Sequence, residues 1–98
     1  MLFESQELKT SFTIPDEPTY REQLRYESAA HFHPELPTYE RLWLGVCALA
    51  KDWKSEIVSD ASEKVLDEKS VPQGIEVMKW AGLAVWSFVW SLKDVPKN

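Results

Sequence analysis

Trp80–Leu92, WAGLAVWSFVWSL, is the stretch on which the reading of this chain turns. It holds Trp80, Trp86 and Trp90, three of the five tryptophans, and its apolar residues fall on every side of a helix rather than along one stripe. A helix of that kind has to be buried, in a core, in a partner or in a membrane. The uncharged run is 13 residues long, with Glu76 and Lys79 where an extension would have to go. A membrane span needs about 20 apolar residues, so no membrane is expected. Two readings remain. Either this is the central helix of a small core, or one side of it, with Trp86 and Trp90 a turn apart, faces a partner or a second copy of the chain. Tryptophan is enriched at the hot spots of protein interfaces. Gly82, inside the run, marks a close approach of another backbone.

Working outward, Ser70 and Gln73 with Pro72 between them suggest a capping box, and the last helix is expected over about Val71–Leu92. Residues 58–70 are polar apart from Val58, Val65 and Leu66 and read as a connection with one helical turn around Ser62–Leu66. Before it, Leu42, Val46, Leu49 and Trp53 recur at helical spacing, with Ile57 a turn further on and Trp43, Cys47 and Ala50 widening the stripe. A helix capped by Thr38 and reaching about Ile57 is the expectation. HFHPELP, residues 31–37, is a loop. A first helix is expected from about Glu17 to Ala30, capped by Asp16, with Tyr20 and Leu24 facing the core. In ELKTSFTI, residues 7–14, Leu8, Thr10, Phe12 and Ile14 alternate with Lys9, Ser11 and Thr13, the signature of a strand with one wet side. Its partner would be the MLFES segment, a later segment such as 31–36, or another chain. The fold expected is one small domain over 1–98, mainly α within the α+β class, with about three helices and a short N-terminal β element.

The whole chain has 98 residues, 16 acidic and 11 basic, for a net charge of −5. That balance argues against direct nucleic-acid binding, which rests on neutralising phosphates. Cys47 is the only cysteine, so no internal disulfide forms, and the N-terminus has neither a basic nor an apolar leader region. A cytoplasmic location is the expectation. No catalytic signature stands out. The glycines are Gly45, Gly74 and Gly82, too scattered for a phosphate loop. Asp16–Glu17 and Asp67–Glu68 read as a cap and a loop, and Cys47 lies in an apolar stripe where thiols are inert. His31 and His33, with Glu35 and Cys47 nearby, have the spacing of a partial metal site, but nothing selects the remaining ligands. No enzyme activity, cofactor or metal is expected.

The segment FTIPDEPTYREQLRY, residues 12–26, resembles small proteins encoded among the tail genes of bacteriophages and prophages. In these a short strand ending in Ile-Pro leads into a Pro-Thr-x-Arg-x-Gln-Leu helix. The matching residues are Ile14, Pro15, Pro18, Thr19, Arg21, Gln23 and Leu24. The likeness continues at Arg41-Leu42-Trp43, at Trp53, at Trp80-Ala81 with Val85, and at Val95-Pro96-Lys97-Asn98; HFHPELP departs from it. The resemblance implies a non-enzymatic phage protein, such as a tail assembly chaperone that shields an aggregation-prone partner. Anchors for that partner, a phage tail protein, would come from Trp43, Trp80, Trp86, Phe88 and Trp90. Two alternatives fit the same composition: a small phage-encoded inhibitor of a host defence complex, and a homo-oligomeric structural component.

Overall fold

The computed structural model describes residues 1–31 and 35–93. The order is β1 (Leu2–Ser5), β2 (Thr10–Thr13), α1 (Tyr20–His31), α2 (Thr38–Leu49), β3 (Lys51–Ser55), a 3-10 turn (Glu63–Asp67) and α3 (Gly74–Lys93). Three helices and a three-stranded antiparallel sheet make this an α+β fold, with strand order β1-β2-β3.

MLFES does pair with the alternating segment. Phe3 lies opposite Phe12 and Ser5 opposite Thr10, so β1 and β2 form a hairpin. Leu8, Thr10, Phe12 and Ile14 are all buried, which is the face that the alternation marked. Of the segment 31–36, His31 ends α1, residues 35–36 form a turn and bend, and residues 32–34 lie outside the described residues. The third strand is Lys51–Ser55, which the helical spacing had assigned to the second helix. That helix stops at Leu49, because Ala50 is already extended, at ψ 140°. The strand then carries a bulge. Thr13 pairs with Lys51 and Ser11 with Lys54, leaving one residue too many on β3. Asp52 takes up the excess in the left-handed region, at φ 53°, which short polar side chains tolerate better than most. Beyond the bulge, Trp53 is half-buried against the core and the Ser55 hydroxyl lies 2.8 Å from that of Thr10.

The first helix starts three residues later than expected. Its cap is Thr19 rather than Asp16: the Glu22 N–H donates to Thr19 Oγ1 (3.1 Å), and the Thr19 N–H donates to Glu22 Oε1 (2.8 Å). This is a reciprocal capping box. Tyr20 and Leu24 are exposed, and Tyr26 and Ala30 are the residues placed inside. The backbone hydrogen bond from Thr19 holds the Glu22 carboxyl below its ordinary range. A carboxyl lowered in the folded state stabilises above its unfolded pKa, and that contribution is lost as pH falls through the folded value. Thr19→Ala keeps that backbone N–H and removes only the hydroxyl, the smaller of the two Thr19 contributions. The Glu22 titration, followed by NMR, is therefore expected to move only part of the way up towards an ordinary glutamate. The substitution should also cost about 1 kcal/mol of stability.

Pro37 occupies the cap position of α2 without a side-chain cap bond, so Thr38 is the first helical residue rather than the cap. At α3, Gln73 has φ 66° and the helix begins at Gly74, so Ser70 and Gln73 do not frame its start. The helical turn expected near Ser62–Leu66 is the 3-10 turn. Gly82 faces α2 closely, since a Cβ there would lie 2.9 Å from Leu42 Cβ and 3.4 Å from its backbone carbon.

α1 and α3 both pack on α2, and the sheet reaches the helices through aromatic side chains. Phe12 is the hub. It stacks on Phe3 (5.2 Å between ring centroids) and Trp53 (5.3 Å) and meets Trp80 edge-on (5.6 Å). Trp43 meets Trp53 edge-on at 5.4 Å. Among the described residues, no helix is long and apolar enough to cross a membrane.

Candidate protein-binding surface

α3 is apolar all round, yet only part of it is covered. Val77, Ala81, Val85 and Val89 recur every four residues and are buried against the rest of the domain. On the opposite side Ile75, Leu83, Trp86 and Trp90 remain in water, at 46, 55, 38 and 54 % exposure. These four share one stripe of a 3.6-residue helix, with Lys79 as the one charged residue along it. The two exposed indoles stack on each other, with centroids 5.8 Å apart and planes at 15°. The Lys79 ammonium lies 5.8 Å from the centroid of Tyr39 on α2, which draws the one charge towards the neighbouring helix. A rigid pair of indoles on a helix anchored from behind offers large contact area at small ordering cost.

The five tryptophan and phenylalanine anchors separate into three groups. Trp86 and Trp90 are on the surface. Trp80 and Phe88 are half-buried and serve the core, Trp80 edge-on to Phe12 and Phe88 edge-on to Phe3 at 6.2 Å. Trp43 is 0 % exposed and its indole N–H donates to the Ser62 carbonyl at 3.1 Å. It touches no solvent and is a core residue, because α2 presents the Trp43–Val46 side to the interior. Leu83 and Ile75 were not among the expected anchors. Their helical spacing to Trp86 and Trp90 was the signal that would have found them.

A groove of about 380 Å³ opens at the N-terminal end of the same helix. Tyr39 of α2, Ile57 and Val58 after β3, Leu66 of the 3-10 turn, and Val71 and Ile75 line it. Ile75 belongs to both features, so the apolar stripe begins at the mouth of the groove. Four separate segments build this cavity, and no local pattern announces it.

The remaining chemistry is quiet. Burial pushes the Cys47 thiol up to about 12, and a thiol so placed carries little thiolate at neutral pH. Cys47 is half-buried and is thus expected to react with a disulfide reagent at pH 8 more slowly in the folded protein than in denaturant. Tyr26 is buried, its hydroxyl has no hydrogen-bond partner among the described residues, and burial pushes its pKa up to about 12. Its ring is pinned against α2, where a Cβ on Gly45 would come within 2.6 Å of Tyr26 Cε1. An unmet buried hydroxyl costs about 1–3 kcal/mol. Tyr26→Phe is accordingly expected to hold or raise the unfolding free energy, by about 1 kcal/mol in a denaturant titration. His31 is exposed at the end of α1, and His33 lies outside the described residues, as do Val95–Asn98. Among the described residues no three His, Cys, Asp or Glu side chains converge as metal ligands. No family model, curated protein or solved structure matches this chain.

Proposed function

We propose that this chain is a non-enzymatic accessory protein that binds another protein through the exposed stripe of α3. The observation that carries the reading is the stacked Trp86–Trp90 pair, left in water on a helix whose other side is locked into the core. Solvating two indoles and two aliphatic side chains is costly, and contiguous exposed apolar surface is characteristic of interaction sites. The tail-gene resemblance of residues 12–26 supplies the biological setting: a chaperone-like factor that holds a phage tail protein in the host cytoplasm until assembly. The net charge of −5 keeps the adhesive protein dispersed and favours partners with basic surfaces.

The test is a tagged capture from the native source at low and high salt, with the wild-type chain and with Trp86→Ser/Trp90→Ser. A tail structural protein retained at high salt and lost with the double substitution supports the proposal. A nucleic-acid-binding host complex, released by salt and indifferent to the substitutions, overturns it in favour of an electrostatic inhibitor of host defence.

A further inference from the structure

The geometry points to a second copy of the chain as the occupant of the α3 stripe in the free protein, each copy seating its indole pair at the mouth of the other's groove. The inference rests on the reading of this stripe as a docking surface. Projection and recess lie on one helix. Ile75, on the rim of the groove, and Trp90, the outer indole, are 15 residues apart on the same stripe, or about 22 Å along the axis. A two-fold axis across α3 near Gly82 and Leu83 carries Trp90 of one copy onto Ile75 of the other, and the reverse. Leu83 then meets its own counterpart close to the dyad. Both projections are filled at once and no projection or recess is left over, so the contact closes as a dimer rather than propagating as a filament.

Charge permits this approach. Lys79 is the charged residue on the stripe between Ile75 and Leu83, its ammonium over Tyr39 on the groove wall. The dyad sets it opposite Trp86 of the other copy rather than its own counterpart. Glu40, Glu68 and Lys69 also line the groove, so cations and anions are both present there. The groove, about 380 Å³, combines aliphatic side chains such as Ile57, Leu66 and Val71 with the charged Glu40, Glu68 and Lys69, and has room for one indole. The area is small. The exposed stripe and groove rim amount to roughly 400–500 Å² per copy, the scale of a large apolar patch on a monomer. Pairing two copies buries about 1,000 Å², the lower edge of specific interfaces. The dimer is therefore weak and gives way to a tighter partner, which suits a factor that must cover its own adhesive face until that partner arrives.

Sedimentation velocity on the wild-type protein, from roughly 5 to 500 µM, is expected to show a reversible monomer–dimer equilibrium. Its dissociation constant should be on the order of 10–100 µM and change little with salt. Val71→Glu places a carboxylate on the groove rim and leaves the indoles alone; Trp90→Ser removes the outer projection. Each should weaken the dimer at least about tenfold. An equimolar mixture of the two variants restores one of the two contacts, so it should associate more than either variant by itself. Both substituted positions are about half exposed, and thermal unfolding followed by circular dichroism confirms that each variant folds. A wild-type protein monomeric throughout the range overturns the inference, as does a dimer indifferent to Val71→Glu. Neither result touches the proposed function, whose capture experiment uses the indole pair alone. Failure of the wild-type chain to capture a tail protein, with the dimer intact, would remove the proposed partner and leave the self-pairing standing.

Discussion

Trp43→Ala is expected to lower the unfolding free energy by about 3–5 kcal/mol, a large part of the 5–15 kcal/mol that holds a domain of this size together. The indole is wholly enclosed, and three kinds of contact end together. Its area returns to water on unfolding no longer counted in favour of the fold. Its edge-on contact with Trp53 disappears, an arrangement worth about 0.5–1.5 kcal/mol beyond burial. The Ser62 carbonyl loses the indole N–H that reaches it across 19 residues of sequence, and with it the tie between α2 and the turn following β3. Urea titration of the two proteins with a common m-value measures the difference. A loss under about 1 kcal/mol would mean that α2 does not present Trp43 to the interior. Trp43→Phe should recover most of the volume but not the hydrogen bond, and so fall between the two.

Phe12→Ala carries a comparable expected loss, about 3–5 kcal/mol, with a different distribution through the molecule. Phe12 is the ring against which Phe3, Trp53 and Trp80 all pack. The sheet's backbone stays apart from the helices, and this cluster is the material between them. Removing the hub leaves the α1–α2–α3 packing largely untouched while unseating the sheet from it. Amide exchange should then accelerate first in β1, β2 and β3, ahead of the helices, where a uniform acceleration would show that sheet and helices open as one unit. Phe12→Leu keeps most of the volume and is expected to cost about half as much.

Much of this architecture is legible in the sequence where a residue's neighbours are local. The β1–β2 hairpin face follows from period-two alternation, and part of the buried side of α2 from Val46 and Leu49, although Leu42 is only half-buried and Trp43 and Leu44 lie inside. The start of α1 was also present, in Thr19 and Glu22 at capping-box spacing, but Asp16 is an equally good cap by residue type. Separately, Tyr20 and Leu24, a turn apart, read as the inward face, whereas Tyr26 and Ala30 are the residues that pack inside. The strand Lys51–Ser55 was hidden for a stronger reason. No Gly or Pro ends the second helix, and Trp53 and Ile57 fit its period, while the bulge at Asp52 breaks the alternation that would have announced a strand. The candidate surface was half legible. Trp86 and Trp90 stand out at helical spacing, but which tryptophans face water depends on where α2 and the sheet pack. Trp43 changes from anchor to core for that reason. The groove is made of side chains from four segments and has no signature in any one of them.

The strand order β1-β2-β3 also sets an itinerary for folding. β1 and β2 adjoin in sequence, and α1 and α2 are joined by a short connection, so both pairs can form on the microsecond scale of hairpins and helices. β3 is different: Thr13 and Lys51 are 38 residues apart, and both helices lie between them. The sheet cannot be completed until that long loop closes, an entropic toll taken before any ladder bond of β3 is made. Until then β2 has one edge open and Phe12 lacks its Trp53 cover. A protein whose mature surface already keeps two indoles in water thus passes through a stage with still more of its aromatic surface bare. The chain is most adhesive in the interval before its last strand arrives.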